Sequence, residues 1–185
     1  MGMFEDALDE TGRQAFTRPV PRSAGAQMRY LVRWYKGSTK AVAELLGVSR
    51  RTVERYVRDQ LRTPRPELAT RLEAEVTRRW QPRVRARARK AASTTTGLVV
   101  DTRARFGYTA APGSTDDGRV RHLTVALPPE FAARLFQARE AGAGEGRLRD
   151  IAAEGLQETY FKDRGRRADG LLVEFTDIEH VEFGL

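Results

Sequence analysis

The stretch GSTKAVAELLGVSRRTVERYV, residues 37–57, contains two short runs of apolar residues at helical spacing on either side of a glycine. The apolar positions are Ala41, Val42, Leu45, Leu46, Val48, Val53, Tyr56 and Val57. This spacing predicts a helix of about 8 residues, a break at Gly47 and a second helix of about 10 residues. Ser38 and Ser49 precede the two helices and can cap them by accepting bonds from free backbone N–H groups.

Two small residues support a close pairing of these helices. Gly47 lies where the chain must turn with positive φ, which is easy only for a residue without a Cβ. Ala43 lies where the two helices pack closest. The pattern is typical of a helix-turn-helix, whose second helix enters the DNA major groove. The alternative is an ordinary pair of amphipathic helices meeting at a glycine.

The second helix carries a basic exposed face, which favours DNA binding. An arginine can bond both acceptor atoms of guanine and can also bind phosphates, so several of these residues could read sequence. We therefore take the following as candidate DNA-binding residues: Ser49, Arg50, Arg51, Thr52, Glu54, Arg55 and Arg58.

Helices on either side complete a predicted all-α domain over residues 22–80. A preceding amphipathic helix around 23–35 supplies apolar side chains, and a further helix spans 67–80 after a proline-rich break. Residues 81–95 form a basic segment with arginines at alternate positions. It is either a solvated linker or a phosphate-tracking element, which adds as candidates Arg83, Arg85, Arg87 and Arg89.

The charge is concentrated in the first half of the chain. Residues 22–66 hold eleven Lys/Arg against three Asp/Glu, whereas residues 147–185 hold six against nine. This asymmetry favours a polyanion partner, and nucleic acid fits better than a membrane surface because no basic amphipathic helix has a wide apolar face. No apolar run is long enough to span a bilayer and the chain has no cysteine, so we expect a soluble cytoplasmic protein without disulfides.

The second half predicts a smaller α+β domain over residues 96–185. Two strands with alternating polarity flank the segment APGSTDDG (111–118), which reads as a hairpin tip. A helix over 130–141, a second helix after the glycines of GAGEG, and a final strand near the end follow. The predicted class of the whole chain is α+β, with an N-terminal segment of residues 1–21 left without an assigned structure.

The strand followed by two helices loosely resembles a ribbon-helix-helix, in which paired strands enter the major groove. In that arrangement His122 and Thr124 would face DNA. A plain α+β core is the favoured alternative. In either case exposed strand edges could pair two copies into a homodimer.

Catalytic motifs are absent from the sequence. There is no phosphate-binding glycine loop and no His-Glu-x-x-His, and the chain has only His122 and His180. Asp116 and Asp117 could hold a metal ion beside the neighbouring hydroxyls, but adjacent carboxylates in turns more often face water. We therefore expect neither an enzyme nor a metal site.

Five runs of the sequence carry a resemblance to a known family. They are MFEDALDE (3–10), AFTRPVPRSAGAQMRYLVRWYKGSTKAVAELLGVSRRTVERYV (15–57), WQPRVRARAR (80–89), DTRARFGYTAAPGSTDDGRVRHLTVALPPEFAARLF (101–136) and EGLQETYFKD (154–163). These runs closely resemble the telomere terminal proteins of linear Streptomyces chromosomes and plasmids. The similarity extends along nearly the whole chain.

The resemblance implies a protein primer for telomere fill-in. Such proteins become covalently joined to the 5′ ends of linear DNA, because a side-chain hydroxyl accepts the first deoxynucleotide and a polymerase extends it. The family's acceptor lies in the hairpin-tip segment, which implies Thr115 first and Ser114 second. The implied partners are telomeric DNA, a telomere-associated recruiting protein and a DNA polymerase, with the protein located in the nucleoid at replicon ends.

The implied chemistry requires no cofactor of the protein's own, because the divalent metal ion belongs to the polymerase site. The neighbouring Asp116 and Asp117 would imitate the negative charge of a primer backbone. The main alternative function is a transcriptional repressor or DNA-segregation factor with a C-terminal dimerisation domain. A third is a nucleoid protein that binds without sequence preference.

Overall fold

The computed structural model describes residues 2–109, 119–161 and 172–185, with side chains described except at 107–109, 119 and 172–176. These residues form eight α-helices and three strands. In chain order they are α1 (Met3–Gln14), α2 (Ala24–Trp34), α3 (Thr39–Leu46), α4 (Arg50–Val57), α5 (Pro66–Arg79), α6 (Pro82–Ala91), β1 (Leu98–Thr109), β2 (Arg119–Leu127), α7 (Pro129–Glu140), α8 (Glu145–Leu156) and β3 (Leu172–Gly184). π-Helical turns, Ala92–Thr96 and Gln157–Phe161, directly follow α6 and α8. None of the described helices is both long and apolar enough to cross a membrane.

The chain divides into two compact units. The helical unit is Thr17–Pro82, and the sheet unit combines Met1–Phe16 with Arg83–Leu185. The predicted α+β class is confirmed, but the description of the sheet domain as the smaller one is wrong. It is the larger unit, and it contains an N-terminal helix and most of the basic segment in addition to the predicted strands and helices.

The helical unit is built around one apolar cluster from α2, α3, α4 and α5. Each helix turns its apolar stripe to this cluster, as the sequence spacing predicts. The buried side chains are Ala24, Met28, Leu31, Val42, Ala43, Leu46, Val53, Tyr56, Leu68, Leu72 and Val76. Ser23 caps α2 by accepting a bond from the Ala26 N–H. The four helices therefore share a single core of their own.

The two ends of the helical unit are fastened to each other. The Thr17 backbone N–H donates to the Gln81 side-chain carbonyl at 2.9 Å. The Trp80 indole N–H donates to the Arg18 carbonyl at 3.0 Å. The points where the chain enters and leaves this unit are therefore adjacent.

The sheet unit contains an antiparallel sheet in the order β2-β1-β3. Val100 of β1 pairs with Val125 of β2 on one side and with Phe183 of β3 on the other. Buried side chains of β1 and β2, together with Val181 and Phe183 of β3, form an inner face that joins α1, α7 and α8 in a second apolar cluster. Among the described inner-face residues of the hairpin, Val100, Phe106, Leu123 and Leu127 are buried, in keeping with the alternating polarity of its two strands.

Gly97 makes the entry into β1 possible. Its φ of +75° and ψ of −160° lie in a region that only glycine adopts readily. A Cβ at this position would lie 2.1 Å from the Leu127 carbonyl oxygen. The base of the hairpin therefore requires glycine here.

Helix α1 lies within residues 1–21, which the sequence analysis left unassigned. Its Phe4, Ala7, Leu8 and Thr11 are buried in the sheet unit at the spacing of one helix face. Its N-terminus is capped from a distance, because the Glu145 carboxylate accepts bonds from the Phe4 and Glu5 backbone N–H groups at 2.7 and 3.3 Å. The apolar spacing signals the helix, but its partners are more than a hundred residues away in sequence.

The basic segment interpreted as a linker is largely helical. Residues 82–91 form α6, and Arg83 onward belongs to the sheet unit. Arginines at alternate positions lie on one side of an extended chain, but on an α-helix they separate onto different faces. The segment therefore does not present all four of its arginines on one side, as the sequence pattern had suggested.

Candidate nucleic-acid interface

The two units differ sharply in charge. Residues 17–82 contain fifteen Lys/Arg and six Asp/Glu, whereas the rest of the chain contains eighteen Lys/Arg and nineteen Asp/Glu. The entire positive excess of the protein therefore belongs to the helical unit. A polyanion would be attracted to this unit first.

Helices α3 and α4 form a tightly fixed pair inside the helical unit. Ser38 accepts a bond from the Ala41 N–H, and Ser49 accepts one from the Thr52 N–H, both at 3.1 Å. Gly47 adopts φ +63° and ψ +38°, the left-handed conformation predicted for the turn. The capping and turn predictions are confirmed. The direction of α4 is therefore set by local bonds as well as by core packing.

One stripe of α4 is exposed and basic. Val53 and Tyr56 are buried on the opposite side and hold the helix to the core. Arg51 and Arg55 of α4, together with Arg58 that directly follows the helix, have the i, i+4, i+7 spacing of a single helix face and are exposed. Within the described part of the chain, no ion pair involves any of these three arginines. Their charges are available for an external anion.

The other candidate residues of α4 are occupied within the protein. The Arg50 guanidinium donates to Glu54 and to Thr39 of α3, each at 3.0 Å. The Ser49 and Thr52 hydroxyls lie 2.9 Å apart in a mutual hydrogen bond at the helix start. Arg50 is itself exposed, but its guanidinium is bonded within the protein, whereas the arginines of the stripe form no such ion pair in the described structure.

The four arginines of α6 divide into two pairs. Arg83 and Arg87 are exposed. Arg85 packs against Gly12 of α1, and burial lowers the pKa of its guanidinium, as does the nearby charge of Arg89.

Arg89 is also directed into the sheet unit. Its guanidinium lies 5.4 Å from the centre of the Phe136 ring and 3.2 Å from the Glu140 carboxylate. Only Arg83 and Arg87 of the four therefore present their charges outward.

The outer face of the sheet carries a polar cluster centred on Asp101. Its carboxylate accepts a bond from the Thr124 hydroxyl and lies 2.9 Å from His122 Nε2 and 3.5 Å from His180 Nε2. The bond from Thr124, followed by the one from His122, lowers the pKa of the Asp101 carboxyl. Both histidines of the chain thus face solvent on the same side as Thr124. The sequence analysis did not single out Asp101, whose alternation within β1 is its only signal.

The proposed acceptors Thr115 and Ser114, with Asp116 and Asp117, lie outside the described residues. The strands on either side are described, and β1 and β2 are adjacent and antiparallel with Phe106 paired to Arg119. In the described ranges no three His, Asp or Glu side chains form a group able to hold a metal ion.

An aromatic surface of the helical unit was also missed by the sequence analysis. Tyr30 and Trp34 of α2 and Trp80 after α5 lie beside Arg29 and Arg33. Its signal in the sequence is RYLVRW (29–34), in which an arginine followed by an aromatic residue occurs twice, four positions apart.

Comparisons of the chain with models of known protein families, with curated proteins and with solved structures find no match.

Proposed function

We propose that the helical unit is a helix-turn-helix that binds duplex DNA through α4. The observation that carries this proposal is the stripe of Arg51, Arg55 and Arg58 on a capped helix anchored by its opposite face. The concentration of positive charge in the same unit supports it. Here α4 lies in the major groove, where arginines bond guanine edges or clamp phosphates.

The Arg50–Glu54 pair has an orienting role in this proposal. Arg50 connects α4 to Thr39 at the start of α3, so the two helices approach DNA as one body. Replacing Arg50 would loosen this connection without removing a charge from the stripe.

We further propose that the protein primes DNA synthesis at the ends of linear replicons. The resemblance to telomere terminal proteins supports this, together with the pairing of β1 and β2 on either side of the segment that contains Thr115. The Thr115 hydroxyl attacks the α-phosphate of a deoxynucleoside triphosphate, with Ser114 as the second choice. A phosphodiester forms, pyrophosphate leaves, and the hydroxyl proton passes to the polymerase site, whose metal ions align the reaction.

The partners of this function are telomeric DNA, the polymerase and a recruiting protein. Strands β2 and β3 are the edges of the described sheet, so a homodimer through either edge belongs to the same proposal. In this proposal the protein acts at replicon ends in the nucleoid. The protein accepts a nucleotide and catalyses nothing itself.

The experiment is transfer of a labelled deoxynucleotide to the protein with polymerase-containing extract and telomeric template. The wild type is compared with Thr115→Ala, Ser114→Ala and the double variant. Loss of label with Thr115→Ala alone identifies Thr115 as the acceptor. Absence of label on the wild type, under conditions that label a known terminal protein, would refute the priming role.

A repressor or segregation factor is distinguished by combining this labelling assay with a measurement of duplex affinity. Duplex affinity is expected to survive Thr115→Ala and to fall with Arg55→Ala. A protein that binds a specific duplex through α4 and takes no label would be a helix-turn-helix regulator. One that binds all duplexes equally would be a nucleoid protein.

A further inference from the structure

A groove of about 490 Å³ lies on the surface of the helical unit, between α2 and the turn after α5. Three aromatic rings, Tyr30, Trp34 and Trp80, line it together with Arg29 and Arg33. The proposed duplex-binding stripe of α4 includes none of these residues. The groove is therefore a separate feature of the same unit.

The rings are held in a fixed cluster. Tyr30 lies 6.2 Å from Trp34 and 5.0 Å from Trp80, measured between ring centres. The Tyr30 hydroxyl donates to the Arg79 carbonyl, and the Trp80 indole N–H donates to the Arg18 carbonyl. The polar ends of Tyr30 and Trp80 are thus used inside the protein, and the groove is walled by ring surface.

Trp34 is the exposed member of the cluster. It has 44% of its surface accessible and is the one large apolar side chain of the helical unit exposed to that degree among the described residues. It ends α2, one turn after Tyr30, so its ring lies beside the Tyr30 ring on the same face of the helix. An exposed tryptophan on a preformed aromatic support offers a flat surface for stacking.

The charges beside Trp34 select the kind of ligand. Arg33, its sequence neighbour, is exposed and forms no ion pair within the described ranges. Arg29 is bonded to Asp59 at 2.8 Å and to the Val57 carbonyl at 3.0 Å, so it is held at the groove edge. The surrounding unit has nine more basic than acidic residues. An aromatic platform in a strongly positive setting is complementary to a polyanion that carries flat rings.

We propose that this groove binds single-stranded nucleic acid, with an unpaired base stacked on Trp34 and a phosphate held by Arg33. Proteins that bind single strands combine a basic groove with aromatic side chains in this way, and the stacking tolerates any base. A proline-rich peptide could also occupy an aromatic groove. The charge of the helical unit favours the nucleic acid. This site goes beyond the proposed duplex binding and does not depend on it.

The test uses tryptophan fluorescence of the full chain. The chain has two tryptophans and Trp80 is itself part of the groove, so the Trp80→Phe variant, which leaves Trp34 as the single reporter, is measured beside the wild type. It is titrated with a mixed-sequence single strand of about 12 nucleotides, with an abasic strand of equal length, and with a proline-rich peptide. The single strand is expected to quench Trp34, and the abasic strand, which keeps the charge without the bases, to bind more weakly.

Affinity is measured by anisotropy of a labelled single strand. We expect Trp34→Ala to weaken binding on the order of tenfold, and Trp34→Phe to restore most of it. Tyr160→Ala is the matched control, since Tyr160 is also 44% exposed but lies in the sheet unit. It should leave the affinity unchanged.

Unchanged affinity in Trp34→Ala, or equal binding of the abasic strand, would overturn the proposal. Quenching by the peptide and not by the single strand would overturn it as well and assign the groove to a protein partner. Duplex binding by an Arg55→Ala variant is measured in parallel. Trp34→Ala reports on the single-strand site and Arg55→Ala on the proposed helix-turn-helix, so the failure of either proposal can be recognised separately.

Discussion

Neutralising the exposed stripe of α4 should flatten the salt dependence of duplex binding by a predictable amount. The variant replaces Arg51, Arg55 and Arg58 with glutamine, removing three charges that have no internal partner in the described structure. Each phosphate contact contributes about 0.9 to the slope of log affinity against log salt. Three such contacts make up about 2.7 of the slope.

That difference is large enough to measure. Between about 50 and 200 mM salt, a slope of about 2.7 corresponds to a loss of about 40-fold in affinity. The wild type should therefore lose about 40-fold more affinity than the triple variant over this range. The assay is anisotropy of a labelled duplex across a salt series. Because the three side chains are exposed, thermal unfolding of the variant should stay close to wild type.

A matched pair of single variants on the same helix sharpens the experiment. Arg55→Gln should lower the slope by about 0.9, whereas Arg50→Gln should change it little because Arg50 is bonded to Glu54 at 3.0 Å. An unchanged slope in the triple variant would show that α4 is not the DNA-contacting surface. Equal effects of Arg50 and Arg55 would refute the distinction drawn between paired and free arginines.

Three further predictions concern the sheet unit. Gly97→Ala should destabilise the sheet unit by about 3 kcal/mol in denaturant unfolding, because the new Cβ meets the Leu127 carbonyl. The control is Gly146→Ala on α8, where the space is open and the change should be neutral or stabilising. The pKa of the Asp101 carboxyl is lowered in the fold, so its stabilising effect is present above about pH 4 and is lost as the pH falls below that. An Asp101→Asn variant should therefore lose less stability on acidification than wild type, and parallel acid curves would contradict this. Leu135→Ala should cost about 2–5 kcal/mol, measured by the shift in the unfolding midpoint, since Leu135 is fully buried.

The parts of the fold that local patterns specify could be predicted from the sequence. The caps Ser38 and Ser49, the left-handed Gly47 and the inner face of the hairpin all depend on residues close together in the chain. The placement of α1 could not be predicted, because its partners, such as Glu145, come from distant positions. The assignment of α1 to the sheet unit follows from these long-range contacts and was equally inaccessible.

The candidate site was predicted only in outline. The basic face of α4 was identified, but the pairing of Arg50 with Glu54 depends on rotamers that spacing does not give. The sequence shows the α6 arginines only as a run of like charges. On the helix, Arg83 and Arg87 are exposed, whereas Arg85 lies on another face and packs against Gly12. The exposure of Trp34 required the packing of α2 to be known.

The adjacent ends of the helical unit have a consequence for how the chain is made. Phe4 of α1 packs on Phe183 of β3, with ring centres 6.1 Å apart, so α1 gains this partner only when nearly all of the chain has been synthesised. By then residues 17–82 have long since left the ribosome, and their core requires nothing from the sheet unit. We expect the helical unit to fold first, during translation, and α1 to pack only after β3 has been synthesised. The contact between Thr17 and Gln81 would then close the inserted segment before the two parts of the sheet unit meet.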